Sequence, residues 1–140
     1  MFWNKTITLY NKYEDDQTGT VKWYRHIVHN CFYKSTDKTE NAGGIRLKTN
    51  DNVIRIPSQH NYVTSYKWNK LPNNEKVKYI TLQSGDLIFL GAIDDDVDEY
   101  TKGERSSDLI AKYKLMGSVF IISVNINDFM YGQHYYVRGK

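Results

Sequence analysis

The chain has 140 residues, 40% hydrophobic, 25% charged and 14% aromatic, with a formal net charge of +3 and a single cysteine. That length fits one domain around one core, and a composition so aromatic and evenly patterned excludes a disordered chain. No segment approaches the roughly 18 apolar residues of a membrane-spanning helix, the start MFWNKTITLYNKYEDD lacks the apolar stretch of a secretion signal, and a lone Cys31 forms no intrachain disulfide or thiolate cluster. We therefore expect a single β-rich domain, 1–140, that is made and assembled in the cytoplasm.

The elements follow in chain order. In KTITLYNKY, Ile7 and Leu9 share one face and Thr6, Thr8 and Tyr10 the other, which predicts a half-buried strand over about 5–12. EDDQTGT reads as a loop turning at Gly19. VKWYRHIVHNCFYK reads as a long strand or a bent pair. Its apolar residues change parity near Ile27 and Val28, as a β-bulge would require. STDKTENAGG reads as a polar loop, and IRLKTNDNVIRIP as a hairpin about Asn-Asp-Asn that ends at Pro57. In the next segment Tyr62, Thr64 and Tyr66 alternate as a strand, NKLPNNEK makes a loop, and extended structure resumes over about 78–82.

Ser84-Gly85-Asp86 is a turn that opens Leu87 to Leu90, an apolar run short enough to be a buried strand. SSDLIAKYKLMG is the one helix the sequence predicts, at about 107–116. Ser106 or Ser107 caps it, Asp108 suits its positive end, and Gly117 suits a left-handed C-cap. Leu109, Tyr113 and Met116 give it one apolar stripe, which should lie over a sheet or close a barrel end. SVFIISVNIN and HYYVRGK then read as two closing antiparallel strands around DFMYGQ. The fold class is mainly β: a small β-barrel or sandwich with long loops and one short helix.

Two groups of residues invite a functional reading. Asp94, Asp95, Asp96, Asp98 and Glu99 fall within six positions. A calcium loop starting at Asp94 would need Gly at its sixth place and Glu at its twelfth. This chain has Glu99 and Arg105 there. Consecutive aspartates also lack the contrasting environments that split a pair of carboxyls into acid and base. The group reads as an acidic docking loop. The second group, Lys22, Trp23, Tyr24 and Arg25, interleaves bases with aromatics as single-strand nucleic-acid binders do, and its alternative is a half-buried wall. His26, His29, His60 and His134 have no metal-binding spacing, no phosphate-loop or nucleophile-elbow motif is present, and Cys31 reads as a buried structural residue. The expectation is a protein without catalytic residues, metal or cofactor.

The net charge conceals an asymmetry. Positions 85–108 hold eight acids against two bases, whereas the remainder holds seventeen bases against eight acids. Such a division suits electrostatic registry between copies or partners.

Taken together, ITLYNKYED with TVKWYRHIVHNCFYK, YITLQSGDLIFLGAIDDDV, and SSDLIAKYKLMGSVFIISVNINDFMYGQHYYVRGK resemble small structural proteins of tailed bacteriophages and prophages of Gram-positive bacteria. These are the minor capsid, head-completion or head-tail connector proteins. The features that carry the likeness are Gly85-Asp86 opening a buried strand, the helix near 107–116, and the ending His134, Val137, Gly139 and Lys140. The resemblance implies a virion neck protein of the stopper or collar type: a homo-oligomeric ring between portal or adaptor and tail proteins, through which DNA passes without sequence-specific binding and with no membrane involved. It also implies, as the near alternative, a tail-terminator protein, a type that carries more helix. A single-strand nucleic-acid-binding barrel is the alternative from the residues themselves.

Overall fold

A computed structural model describes residues 4–14, 19, 21–42, 44–57, 61–94, 106–112, 118–129 and 132–139. Six strands dominate it: β1 (Lys5–Glu14), β2 (Val21–Ala42), β3 (Ile45–Pro57), β4 (Leu87–Leu90), β5 (Ser118–Phe129) and β6 (Gly132–Gly139). Three short helices accompany them: α1 (Ser65–Asn69), α2 (Asn73–Lys76) and α3 (Ser106–Lys112). Every strand pairing is antiparallel, in the order β1-β2-β3-β6-β5-β4 and back to β1. β2 and β5 change partner part-way along. The circuit is therefore two sheets, β2-β1-β4-β5 and β2-β3-β6-β5, joined through their shared long strands and not one evenly bonded cylinder.

The mainly β class holds, and several local expectations change. Ile7, Thr8, Leu9, Tyr10 and Asn11 are all buried, so β1 is covered on both faces and not half-buried. One face, with Ile7, Leu9 and Ile88, joins Val28, Cys31, Ile54, Ile56, Ile121 and Val137 in the main core. The other, with Tyr10, Leu87 and Phe89, is capped by Ile93 and by Leu109 of α3, and Trp23 and Ile110 pack against it. α3 thus lies over a sheet as its apolar stripe demands, and the 113–116 end of the expected helix lies outside the described residues.

The bulge in β2 falls later than the parity of Ile27 and Val28 suggests. Lys5 pairs with Cys31 but Ile7 pairs with Val28, which leaves one extra residue near Asn30. Asn30 has φ 62, a left-handed conformation that Asn tolerates better than most side chains. Tyr24 and Val28 face inward before it, and Cys31 and Tyr33 after it.

STDKTENAGG is strand and not loop as far as Ala42, and IRLKTNDNVIRIP is not a hairpin. β2 runs through Ala42 and β3 is one strand, the two joined around Gly44 at φ 83. A polar run reads as loop, but here a cross-strand ladder holds it extended. The expected strand at Tyr62, Thr64 and Tyr66 is also replaced. Only Tyr62 bridges to Ile80, and residues 65–69 form α1. A helix of five residues does not stand alone; burial of Trp68 fixes this one, with its indole N–H donating to Tyr79 O at 3.1 Å.

Candidate functional site

Residues 61–80 form an insertion whose inner side is an aromatic cage. Trp68 meets Tyr24 edge-on at 5.5 Å and Tyr13 at 6.4 Å. The Lys76 ammonium sits 4.1 Å from the Tyr13 ring centroid and 5.5 Å from that of Trp68, and it donates to the carbonyls of Leu71 and Asn69. Lys76 is only 1% exposed, and burial lowers its pKa. Cation–π contacts and two carbonyl acceptors thus replace water around a charge that would otherwise be costly to bury. In the sequence, only the apolar bulk of Trp68 hints at this arrangement.

Asp86 forms a second buried polar centre. Its carboxylate accepts from Asn11 Nδ2 at 2.8 Å, Lys12 N at 2.8 Å, Gln83 N at 3.1 Å and Gln83 Nε2 at 3.2 Å. Desolvation pushes the carboxyl up to about 7, and these four donors pull the other way. Asn11 in turn donates to Thr81 O at 2.6 Å, and the Asp86 carbonyl accepts from Ile121 N at 3.0 Å. The group ties β1, the 83–86 turn and β5 together, so the Gly-Asp pair that reads as a turn is also a joint between strands.

Lys22, Trp23, Tyr24 and Arg25 do not form one stacking surface. Successive strand residues face opposite ways, and Tyr24 is buried against Trp68. Trp23 packs on the α3 side under Lys12 Nζ at 5.8 Å, while Lys22 is exposed. Arg25 Nη1 donates to Ile93 O at 3.0 Å and lies 3.8 Å from Asp94 Oδ1. Asp94 has a 96% exposed side chain, so this ion pair contributes little energy. Asp95, Asp96, Asp98 and Glu99 lie outside the described residues.

Two titratable side chains of β2 are shifted by burial. Burial, assisted by Arg25, lowers the His26 pKa to about 4, and burial pushes the Cys31 thiol up to about 12. Cys31 Sγ lies 3.9 Å from the carbonyls of Val28 and His29, the surroundings of a structural thiol and not of an activated nucleophile. Among the described residues no three His, Cys, Asp or Glu side chains come together as a metal would need. No helix among them is long and apolar enough to cross a membrane.

The most prominent surface feature is an arm. β3 pairs with β6 only from Asn52 onward, and β1 leaves β2 at Cys31. Beyond those points β2 and β3 pair only with each other among the described residues, from Thr36↔Asp51 to Ala42↔Ile45. At about 3.4 Å per residue this ribbon extends roughly 20 Å past the rest of its sheet.

A family model described as a family of unknown function, DUF6751, matches residues 2–140. The chain belongs to the DUF6751 family. No curated protein and no solved structure matches it. The DUF6751 match spans the arm, the insertion and the Asp86 joint alike, so all three belong to the stretch that defines the family.

Proposed function

We propose that this chain is a non-enzymatic structural component of the neck of a tailed phage or phage-tail-like particle, a stopper or collar subunit that forms a ring between portal and tail. The observation that carries this reading is the β2–β3 arm. An isolated two-stranded ribbon is at best marginally stable in water, and among the described residues 36–42 of β2 and 45–51 of β3 pair only with each other. An extension of that kind serves contact with another molecule.

Other features support the reading. The mainly β architecture with three short helices suits the stopper type better than the more helical tail terminator. The sequence likeness to head-completion and connector proteins points the same way. Asp94, the first residue of the acidic segment, has an exposed side chain, as a docking loop requires. The basic-aromatic strand supports nucleic-acid binding less well, because Tyr24 is occupied internally.

The test is immuno-electron microscopy of particles carrying an epitope-tagged copy. Label concentrated at the head-tail junction is expected; label on the head shell or tail tip, or none, would overturn the proposal.

A further inference from the structure

Asp94, the first acid of the segment 94–99, and the basic insertion are held on opposite faces of one strand pair. Arg25 of β2 touches Ile93 O and Asp94. Tyr24, one residue earlier, touches Trp68 of the insertion. Consecutive strand residues project to opposite faces. The base of the acidic segment and the anchor of the insertion are therefore separated by the thickness of the β1–β2 sheet.

The insertion has an outward face of distinct chemistry. Trp68 and Lys76 point inward and are buried, whereas Tyr66, Lys67, Lys70, Val77 and Lys78 are exposed. Tyr66 and Val77, at 70% and 57% exposure, are two of the three large apolar residues exposed among the described residues. Lys70 Nζ lies 4.1 Å from the Tyr66 ring centroid, so a cation and an aromatic are presented together. The one acid here, Glu75, is 3.8 Å from Lys78 Nζ and leaves Lys67 and Lys70 unopposed by any described carboxylate. Cage burial of Trp68 and Lys76 holds this face rigid, which lowers the entropy cost of docking.

We infer that the insertion face around Tyr66, Lys67 and Lys70 is the receptor for the acidic segment 94–99 of a second copy of the chain. The argument is charge complementarity combined with placement: a basic, partly apolar face on one side and, on the other, Asp94, which begins a stretch of sequence with five carboxylates in six residues. A contact between two different surfaces is heterologous, so it propagates from copy to copy and closes into a ring or continues as a filament. This inference rests on the ring-forming reading above and supplies its interface.

The test uses full-length chains and light scattering after size exclusion. Lys67→Glu/Lys70→Glu reverses the receptor, and Asp94→Lys/Asp95→Lys/Asp96→Lys reverses the segment. Wild type should associate at low salt and dissociate as salt rises. Each variant alone should associate at least about tenfold more weakly, as expected for reversing charges in an interface. An equimolar mixture of the two should regain association, because each then meets its opposite charge. Far-ultraviolet circular dichroism confirms that both remain folded, and Tyr66→Ser supplies an uncharged variant with the same expected weakening. Variants that associate like wild type, or a mixture that does not recover, would overturn the interface while leaving the neck location standing. Wild type that stays monomeric at low salt also overturns it. A chain that assembles through this face but is absent from particle necks would instead sink the neck reading alone.

Discussion

Asp86 places a carboxylate where water does not reach, with two donors on each oxygen. Replacing it with Asn turns one acceptor into a donor that faces other donors. We expect Asp86→Asn to cost about 3 kcal/mol, the order found for unsatisfied partners of a buried charged group. Its pH dependence has a definite sign. The folded pKa of about 7 exceeds the ordinary 3.8, so the folded state holds a proton that the unfolded state has released between those values. The stability contributed by this group is complete below about pH 4 and is lost as pH rises through about 7. Urea unfolding across that range should show the gap between wild type and Asp86→Asn narrowing as pH rises; a widening gap would mean that the four donors outweigh desolvation. Lys76 is the cationic counterpart. Lys76→Met keeps much of the volume but leaves two carbonyls without their donor, and a loss of about 1–3 kcal/mol in chemical denaturation is expected.

At the scale of elements, the bulge in β2 and the insertion carry the clearest consequences. Asn30 at φ 62 should accept Gly without loss, whereas Asn30→Val should destabilise by about 1–2 kcal/mol, measured by thermal unfolding. Equal melting temperatures for the two variants would remove the bulge from the account. What the sequence makes legible here follows from burial. Strands with a buried face announce themselves: the apolar run Leu87 to Leu90 packs into the two clusters, and Leu109 is buried where the predicted stripe begins. The parity change in β2 signals a bulge, though the left-handed residue sits a little beyond it. Ile45 and Leu47 alternate, but the rest of 36–51 is mostly polar, and Asn50-Asp51-Asn52 reads as a turn where the ladder in fact continues. α1 and α2 were equally hidden, since helices of five and four residues depend on a tertiary anchor and not on their own periodicity. The Asp86 and Lys76 centres each join residues more than fifty positions apart, Asn11 to Asp86 and Tyr13 to Lys76. Neither long-range pairing leaves a local pattern to read.

At the scale of the whole molecule, the fold divides into a body and an extension. The body holds both apolar clusters, and among the described residues 36–42 of β2 and 45–51 of β3 pair only with each other. Replacing 36–51 by Asn-Gly between the paired residues Ser35 and Asn52 should therefore leave the melting temperature within a few degrees of wild type while abolishing function in particles. An unfolded product would show that the arm belongs to the body after all. In the neck role proposed above, the acidic segment, the insertion and the arm would be the assembly surfaces of a subunit whose work is mechanical. The measurement that tests this most directly is cryo-electron microscopy of intact particles at a resolution that traces the chain. The account predicts a ring of copies between portal and tail, with each arm lying against a neighbouring protein. Neck density fully explained by other chains, with no copy of this one, would contradict it.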